Sequence, residues 1–227
     1  LELLAEGADV VDVGGESTRP GAQPVSAEEE LRRVVPVVEA LAAHARVSVD
    51  ARTREVARAA VAAGATLLND VSASLWPVAA ELGVGWVAVH MQGEPGTMQA
   101  APHYDDVVVE VCAFLAERAE LARAAGVEEI WVDPGIGFGK ALGHNLDLLA
   151  HLDRVVALGW PVLVGTSRKA TLGRLLADSD GVAEPVPPDD RLAGSIASEV
   201  WAMHRGAAMV RAHDVRAAVQ ASRVVAA

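Results

Sequence analysis

Polar side chains recur at the ends of the chain's short apolar runs. Asp12 closes ADVVD, Asp50 closes RVSVD and Asn69-Asp70 close TLLND. His90-Met91-Gln92 follow GWVAV, Asp133 follows IWV, Thr166-Ser167-Arg168-Lys169 follow PVLVG, and Arg211, His213 and Asp214 follow AMV. Asp50, Asn69 and Asp133 offer acceptors, plus one amide that also donates, and Lys169 offers a compact cation. Such a set suits a flat heterocycle with amino, ring N–H and carbonyl groups, because a carboxylate takes two parallel N–H bonds from an amino-amidine edge. Arg211 and His213 alternate along their run, so both face one side. Together they suit an anion such as phosphate. The glycine-bearing stretches 14–21 and 135–139 add backbone that can approach a ligand closely. Taken singly, these residues have plainer readings. Asp50 and Asp70 read as helix caps, His90 as a core histidine and Lys140 as a solvated lysine at a helix start. Seven polar run-ends aimed at one mouth describe a convergent site instead.

Strands and helices in alternation would position them. Apolar, β-branched runs fall near 8–14, 46–50, 66–71, 85–91, 130–134, 161–166 and 208–213. Helical stretches fall between them, near 26–43, 53–63, 76–82, 105–125, 144–158, 191–205 and 214–225. Gly64, Gly83, Gly126, Gly159 and Gly206 each close a helical stretch shortly before a strand. Alternating elements with near-continuously apolar strands imply βαβ units and a parallel sheet buried on both faces. Seven strands fit a (β/α)₈ barrel that lacks one strand. An open doubly wound sheet is the other arrangement, and the polar strand ends favour the barrel. Residues 1–6, stopped by Gly7, read as the tail of a helix. The chain is therefore expected to begin inside the first helix, with the first barrel strand absent. Residues 178–190 read as a polar, Pro-rich surface loop.

Composition narrows the functional classes. With 227 residues, 52% of them hydrophobic, a single domain with a sizeable core is expected. A net charge of −12 is a poor match to nucleic acid or an anionic membrane, both of which call for clustered Lys and Arg. No apolar run is long enough for a transmembrane helix. One cysteine, Cys112, cannot form an internal disulfide, and a reducing cytoplasm is the expected location. Of 19 cationic side chains only Lys140 and Lys169 are lysines, and both stand inside motif-like stretches.

In order and spacing, several motifs resemble those of the dihydropteroate synthases, and the resemblance runs over residues 1–227. They are DVGGESTRPGA (12–22), SVD (48–50), LLNDVS (67–72), VHMQGEPGTMQ (89–99), DPGIGFGK (133–140), GTSRK (165–169), RLAGS (191–195) and RAHDV (211–215). The resemblance implies a single α/β domain, a TIM (β/α)₈ barrel with seven of its eight strands. It implies a transferase that condenses 6-hydroxymethyl-7,8-dihydropterin diphosphate with p-aminobenzoate, giving dihydropteroate and pyrophosphate in folate biosynthesis. Residue by residue, it gives catalytic roles to Lys169, Arg211 and His213. Asp50, Asn69, Asp133 and Lys169 match the pterin binders, with Met91, Phe138 and Gly165 beside the ring. Arg211, Ala212 and His213 match the pyrophosphate site. Thr18, Arg19 and Pro20 match a loop that closes over the site and helps form the aminobenzoate pocket, where sulfonamides bind. It further implies a Mg²⁺ cofactor and a homodimer formed through the last helices. No metal ligand is assigned within the chain, because the family's metal-contacting Asn lies in the absent strand.

The chain departs from the family pattern at three further places. Ala51 stands where Thr is usual, Ala170 where some members have Ser, and Ala212 where Val is common. The first two are expected to cost one hydrogen bond each, about 0.5–1.5 kcal/mol. Two other functions remain open at this stage: a non-catalytic, truncated pterin-binding paralogue, and a pterin-dependent methyltransferase barrel. The second would need neither ESTRPG (16–21) nor the Arg211/His213 anion pair.

Overall fold

The protein's structure, a computed structural model, describes residues 1–17 and 21–227. Among the described residues seven strands form: β1 (Val10–Gly14), β2 (Arg46–Asp50), β3 (Leu67–Asp70), β4 (Gly85–Val89), β5 (Ile130–Asp133), β6 (Leu163–Val164) and β7 (Met209–Val210). The helices are α1 (Glu2–Ala5), α2 (Ala27–Ala42), α3 (Arg54–Ala62), α4 (Trp76–Leu82), α5 (Val107–Ala124), α6 (Leu142–Ala150), α7 (Leu152–Val156), α8 (Ala170–Asp180), α9 (Leu192–His204) and α10 (Val215–Val225).

All strand pairs are parallel, in the order β1-β2-β3-β4-β5 and, separately, β6-β7. A bridge from Val132 to Val162 carries the wall on from β5 towards β6. The walls curve into a barrel. Alternate side chains divide between two cores, as the strand period of two requires. Outside the sheet, Val47, Val49, Leu68, Trp86, Ala88 and Val132 pack against the helices. Inside it, Leu67, Val71, Val87, Val89 and Leu163 form a second cluster, with Trp131, Phe138 and Met209 beside them. Burying each such aliphatic side chain contributes about 1.5–3 kcal/mol. No backbone hydrogen bond among the described residues joins β1 to β7. A cleft of about 740 Å³ lies along this seam, lined by Val10, Asp12, Leu67, Leu163, Met209 and Arg211 among others.

The structure differs from the sequence reading in three local respects. The expected helix over 144–158 is broken at His151 (φ −112°, ψ 30°), whose Nδ1 meets the Asp147 carbonyl at 2.9 Å. Helix α8 was not expected. Its Gly173 weakens a helical pattern, yet tertiary packing demands it, because a Cβ there would stand 2.6 Å from the Arg191 guanidinium. The helix also takes in Asp178–Asp180, so the surface loop begins only at Gly181. Finally, β6 and β7 hold a ladder for two residues each, where runs of six were expected.

Candidate active site

The parallel register sets the site. Gly14 pairs with Asp50, Asp50 with Asn69, and Val89 with Asp133, so the polar ends of four strands stand at one rim. Asp12, Asp50, Asn69 and Asp133 occupy inward positions. Asp70 faces outward instead. Its carboxylate accepts the N–H groups of Ser72, Ser74 and Leu75 and the indole N–H of Trp86 at 3.0 Å. It caps the turn into α4, as its plainer reading holds. His90 also lies behind the wall, with its ring 4.9 Å from Phe114 and 6.1 Å from Tyr104.

Asp12 binds two of the expected site residues together. Its Oδ2 accepts from Asn69 Nδ2 at 3.1 Å and from Arg211 Nε at 2.7 Å. Arg211 Nη2 also lies 3.6 Å from Asp50 Oδ2. Asp12 Oδ1 and Asn69 Oδ1 are buried with no hydrogen-bond partner among the described residues. Buried acceptors left empty are costly, so their presence at one rim marks a place where N–H donors of a ligand are wanted. Burial, and after it the Asp12 charge, pushes the Asp50 carboxyl up to about 7, against the pull of Arg211. The Asp12 carboxylate in turn holds the Arg211 pKa above its usual range. The sequence reading placed Asp12 at a strand end but not among the site residues. Its inward register, two residues before Gly14, was the available signal.

Asp133 anchors the second half. Its Oδ1 accepts the Gly135 N–H at 2.7 Å. Burial raises its pKa, and Lys169 opposes that. Burial draws Lys169 down to about 8, against the pull of Asp133. The Lys169 ammonium donates to the Ile136 carbonyl and stands 4.2 Å from the centre of the Phe138 ring. Its stem lies across Gly137 (φ 84°), where a Cβ would meet Lys169 Cδ at 3.1 Å. Acids held up and lysines held down within one mouth are what functional sites show.

The loops after β6 and β7 are locked to each other. Arg168 adopts a left-handed φ of 57°, a strained conformation for a side-chain-bearing residue. Its N–H donates to Ser195 Oγ (3.0 Å), its carbonyl accepts from Arg191 Nη1 (2.8 Å), and its guanidinium grips Asp214 through Nη2 and Nε (2.6 and 3.0 Å). Ser167 Oγ accepts the His213 N–H at 3.1 Å. The turns that carry Lys169 and His213 are thereby fixed in one geometry.

The structure thus brings Asp50, Asn69, Asp133, Phe138, Lys169, Arg211 and His213 to one mouth. Met91 follows β4 at the same rim, and Ala212 lines the seam cleft between Arg211 and His213. Gly165 is buried there, and a Cβ on it would come within 3.7 Å of Arg211 Cβ. Thr18, Arg19 and Pro20 lie outside the described residues. The flanking loop is tied down at Arg52, which bridges Glu16 (2.9 Å) and Glu94 (3.1 Å). Ala51 is buried in the outer core, and Ala170 is exposed at the start of α8. Lys140, read as a solvated lysine, is only 3% exposed, and its ammonium faces three carbonyls and the His90 ring.

Comparison with known proteins agrees with this geometry. The family described as pterin binding enzyme matches residues 1–213. The dihydropteroate synthase of Escherichia coli K12 is 46% identical over 231 residues, covering 98% of this chain and 79% of the relative. The Yersinia pestis dihydropteroate synthase, solved with a sulfonamide drug complex, superposes with a TM-score of 0.92 at 43% identity, over 99% of this chain and 82% of that one. The Thermus thermophilus dihydropteroate synthase, solved with 4-aminobenzoate, gives a TM-score of 0.90 at 49% identity, over 99% and 86%.

Proposed function

Since the chain belongs to the dihydropteroate synthases within the pterin-binding enzyme family, we propose that it joins 6-hydroxymethyl-7,8-dihydropterin diphosphate to p-aminobenzoate. It is a transferase of folate biosynthesis. The observation that carries the reading is the rim itself. Two acceptors empty among the described residues, on Asp12 and Asn69, stand beside Asp50 and Asp133, and Arg211 reaches in among them, 2.7 Å from Asp12 and 3.6 Å from Asp50.

The pterin ring lies over Asp50, Asn69 and Asp133, whose oxygens accept its amino and ring N–H groups. Phe138 and Met91 flank it. Arg211 and His213 hold the diphosphate. The bond between the methylene carbon and the diphosphate oxygen breaks, and its electron pair leaves on pyrophosphate. The aniline nitrogen then forms the new C–N bond and gives up a proton. Asp50 and Asp133 favour the electron-poor ring that forms as the leaving group departs, and Arg211, His213 and Lys169 stabilise the departing charge. Holding the amine in line with the methylene supplies the rest. A methyltransferase barrel has no use for the Arg211/His213 pair, so the synthase reading is preferred.

Mg²⁺ belongs to this proposal. Among the described residues, no three His, Cys, Asp or Glu side chains form a metal cage. The ion would keep most of its waters and take its ligands from the substrate phosphates that Arg211 and His213 hold. Bound there, Mg²⁺ would neutralise leaving-group charge. A homodimer through α9 and α10 is supported by the exposure of Leu192, Trp201, Val224 and Val225 on those helices. A cytoplasmic location is supported by the single Cys112. Sulfonamides are expected to compete with p-aminobenzoate.

The test is pyrophosphate release by this chain. Release that requires both substrates and Mg²⁺ supports the reading, and a failure to release pyrophosphate under any combination rejects it. Light scattering at the mass of two chains supports the dimer.

A further inference from the structure

We propose that Lys140 is a positioning residue whose ammonium acts as a built-in monovalent cation, drawing the 135–139 loop into the shape that presents the pterin site. This rests on the pterin-binding reading above. The loop is unusual backbone. Gly135, Gly137 and Gly139 all take left-handed φ values, of 67°, 84° and 61°. Glycine is needed at both ends, because a Cβ would stand 1.8 Å from the His90 carbonyl oxygen at Gly135 and 2.1 Å from that of Gln92 at Gly139. A segment with three glycines in eight residues has more freedom to lose than most, so something must hold it.

Lys140 does so from below. Its Nζ donates to the carbonyls of Gly135 (3.0 Å), Phe138 (3.0 Å) and His90 (3.3 Å), and to His90 Nδ1 at 2.8 Å. The His90 ring is kept neutral and accepting. Burial first, then the Lys140 charge, pushes its pKa down to about 3. Burial draws Lys140 itself to about 7, with Asp133 opposing. The carbonyls around it favour the protonated form. Lesser ties complete the clamp. Tyr104 Oη donates to the Gly139 carbonyl (2.9 Å), and Asn145 Oδ1 accepts the Gly137 N–H (2.7 Å).

What the loop presents is the site. The Gly135 N–H orients Asp133, the Ile136 carbonyl receives Lys169, and the Phe138 ring underlies the Lys169 ammonium. Lys140 touches none of the reacting atoms. It determines where three of the groups that bind pterin stand.

The experiment measures the Kd of 6-hydroxymethylpterin for wild type, Lys140→Ala and Lys140→Met. The expected result is a Kd at least tenfold weaker in both variants. In Lys140→Ala, ethylammonium chloride restores it to within threefold of wild type, whereas tetramethylammonium, too large for the cage, does not. Lys140→Met, with the cavity filled, does not respond to either. A Kd within twofold of wild type in Lys140→Ala, or a weakened Kd indifferent to ethylammonium, overturns the proposal. Amide hydrogen exchange on the wild-type protein gives a second arm that needs no variant to fold. The Gly135 and Gly137 amides, bonded to Asp133 Oδ1 and Asn145 Oδ1, are expected to exchange as slowly as those of β5, and exchange at the rate of an exposed loop overturns the clamp. Wild-type turnover measured alongside separates the two ideas. A protein with a protected loop and no synthase activity keeps the clamp and loses the proposed reaction.

Discussion

The half of the barrel from β2 to β5 and the seam between β1 and β7 use similar residues but are held together differently. In the first, each strand is laddered to its neighbours, and Val47, Val49, Leu68, Val87 and Ala88 are fully buried. In the second, Val10, Met209 and Val210 are half-buried beside a cleft of about 740 Å³. Side chains cross the seam where backbone bonds do not, notably Arg211 to Asp12 at 2.7 Å. The laddered half supplies Asp50, Asn69 and Asp133, whose strands are paired up to those residues. Arg211 and Ala212 line the cleft at the seam, with His213 beside them.

Asp133→Ala tests the laddered half most severely. Loss of a charged hydrogen-bonding group should lower kcat/KM by about 150-fold, roughly 3 kcal/mol. A loss below tenfold would place the pterin grip elsewhere. The contrast in packing can be measured directly by urea denaturation. Leu68→Ala in the laddered half should cost about 3 kcal/mol, and Met209→Ala at the seam about 1 kcal/mol. Equal costs would mean that the seam is as tightly packed as the rest.

An anion held by Arg211 and His213, as proposed, should stabilise the folded chain. Pyrophosphate at a hundred times its Kd should add about 2.7 kcal/mol to the unfolding free energy. Arg211→Ala should abolish that gain. It should itself change stability by less than about 1 kcal/mol, because the Arg211 side chain is 45% exposed and its ion pair is solvent-screened.

The last prediction concerns α9, which packs beside β7. Glu199 is 1% exposed, and neither carboxylate oxygen has a hydrogen-bond partner among the described residues. Burial first, and then Asp214, raises its pKa to about 7 from an ordinary 4.5. A raised folded-state pKa means that its favourable contribution is complete below pH 4.5 and is lost as pH rises through 7. Glu199→Gln should therefore stabilise the protein by about 2 kcal/mol at pH 8 and have little effect at pH 4, as thermal melts at the two pH values would show. A pH-independent difference would mean that the carboxyl finds a partner in solution.

Much of the fold was legible in order. The seven strands were found because a strand buried on both faces must be apolar throughout, and the helix ends because glycine closes them. The site residues Asp50, Asn69, Asp133, Lys169, Arg211 and His213 were legible as polar ends to apolar runs. Helix α8 was not. Its Gly173 speaks against a helix locally, and only Arg191, packed on it from 18 positions away, explains it. Lys140 and His90 read as individuals with bland roles, because nothing in sequence places a lysine within reach of three particular carbonyls. Asp12 went unassigned because its partners lie 57 and 199 positions along the chain.

By itself, then, the sequence determined which residues could be strands, which could be helices and which polar groups would gather at one end of them. Those outcomes rest on periodicity and local chemistry, which act over a few residues. Only the tertiary structure decided which way each polar group faces. A parallel register turns Asn69 into the barrel and its neighbour Asp70 out of it, and a side chain's direction in a sheet depends on what its neighbours pair with. It also decided the electrostatics. Asp50, Asp133, Lys140 and Lys169 depart from ordinary acids and bases because folding removes water from around them and sets charge beside charge, and neither event is written in any one stretch of chain.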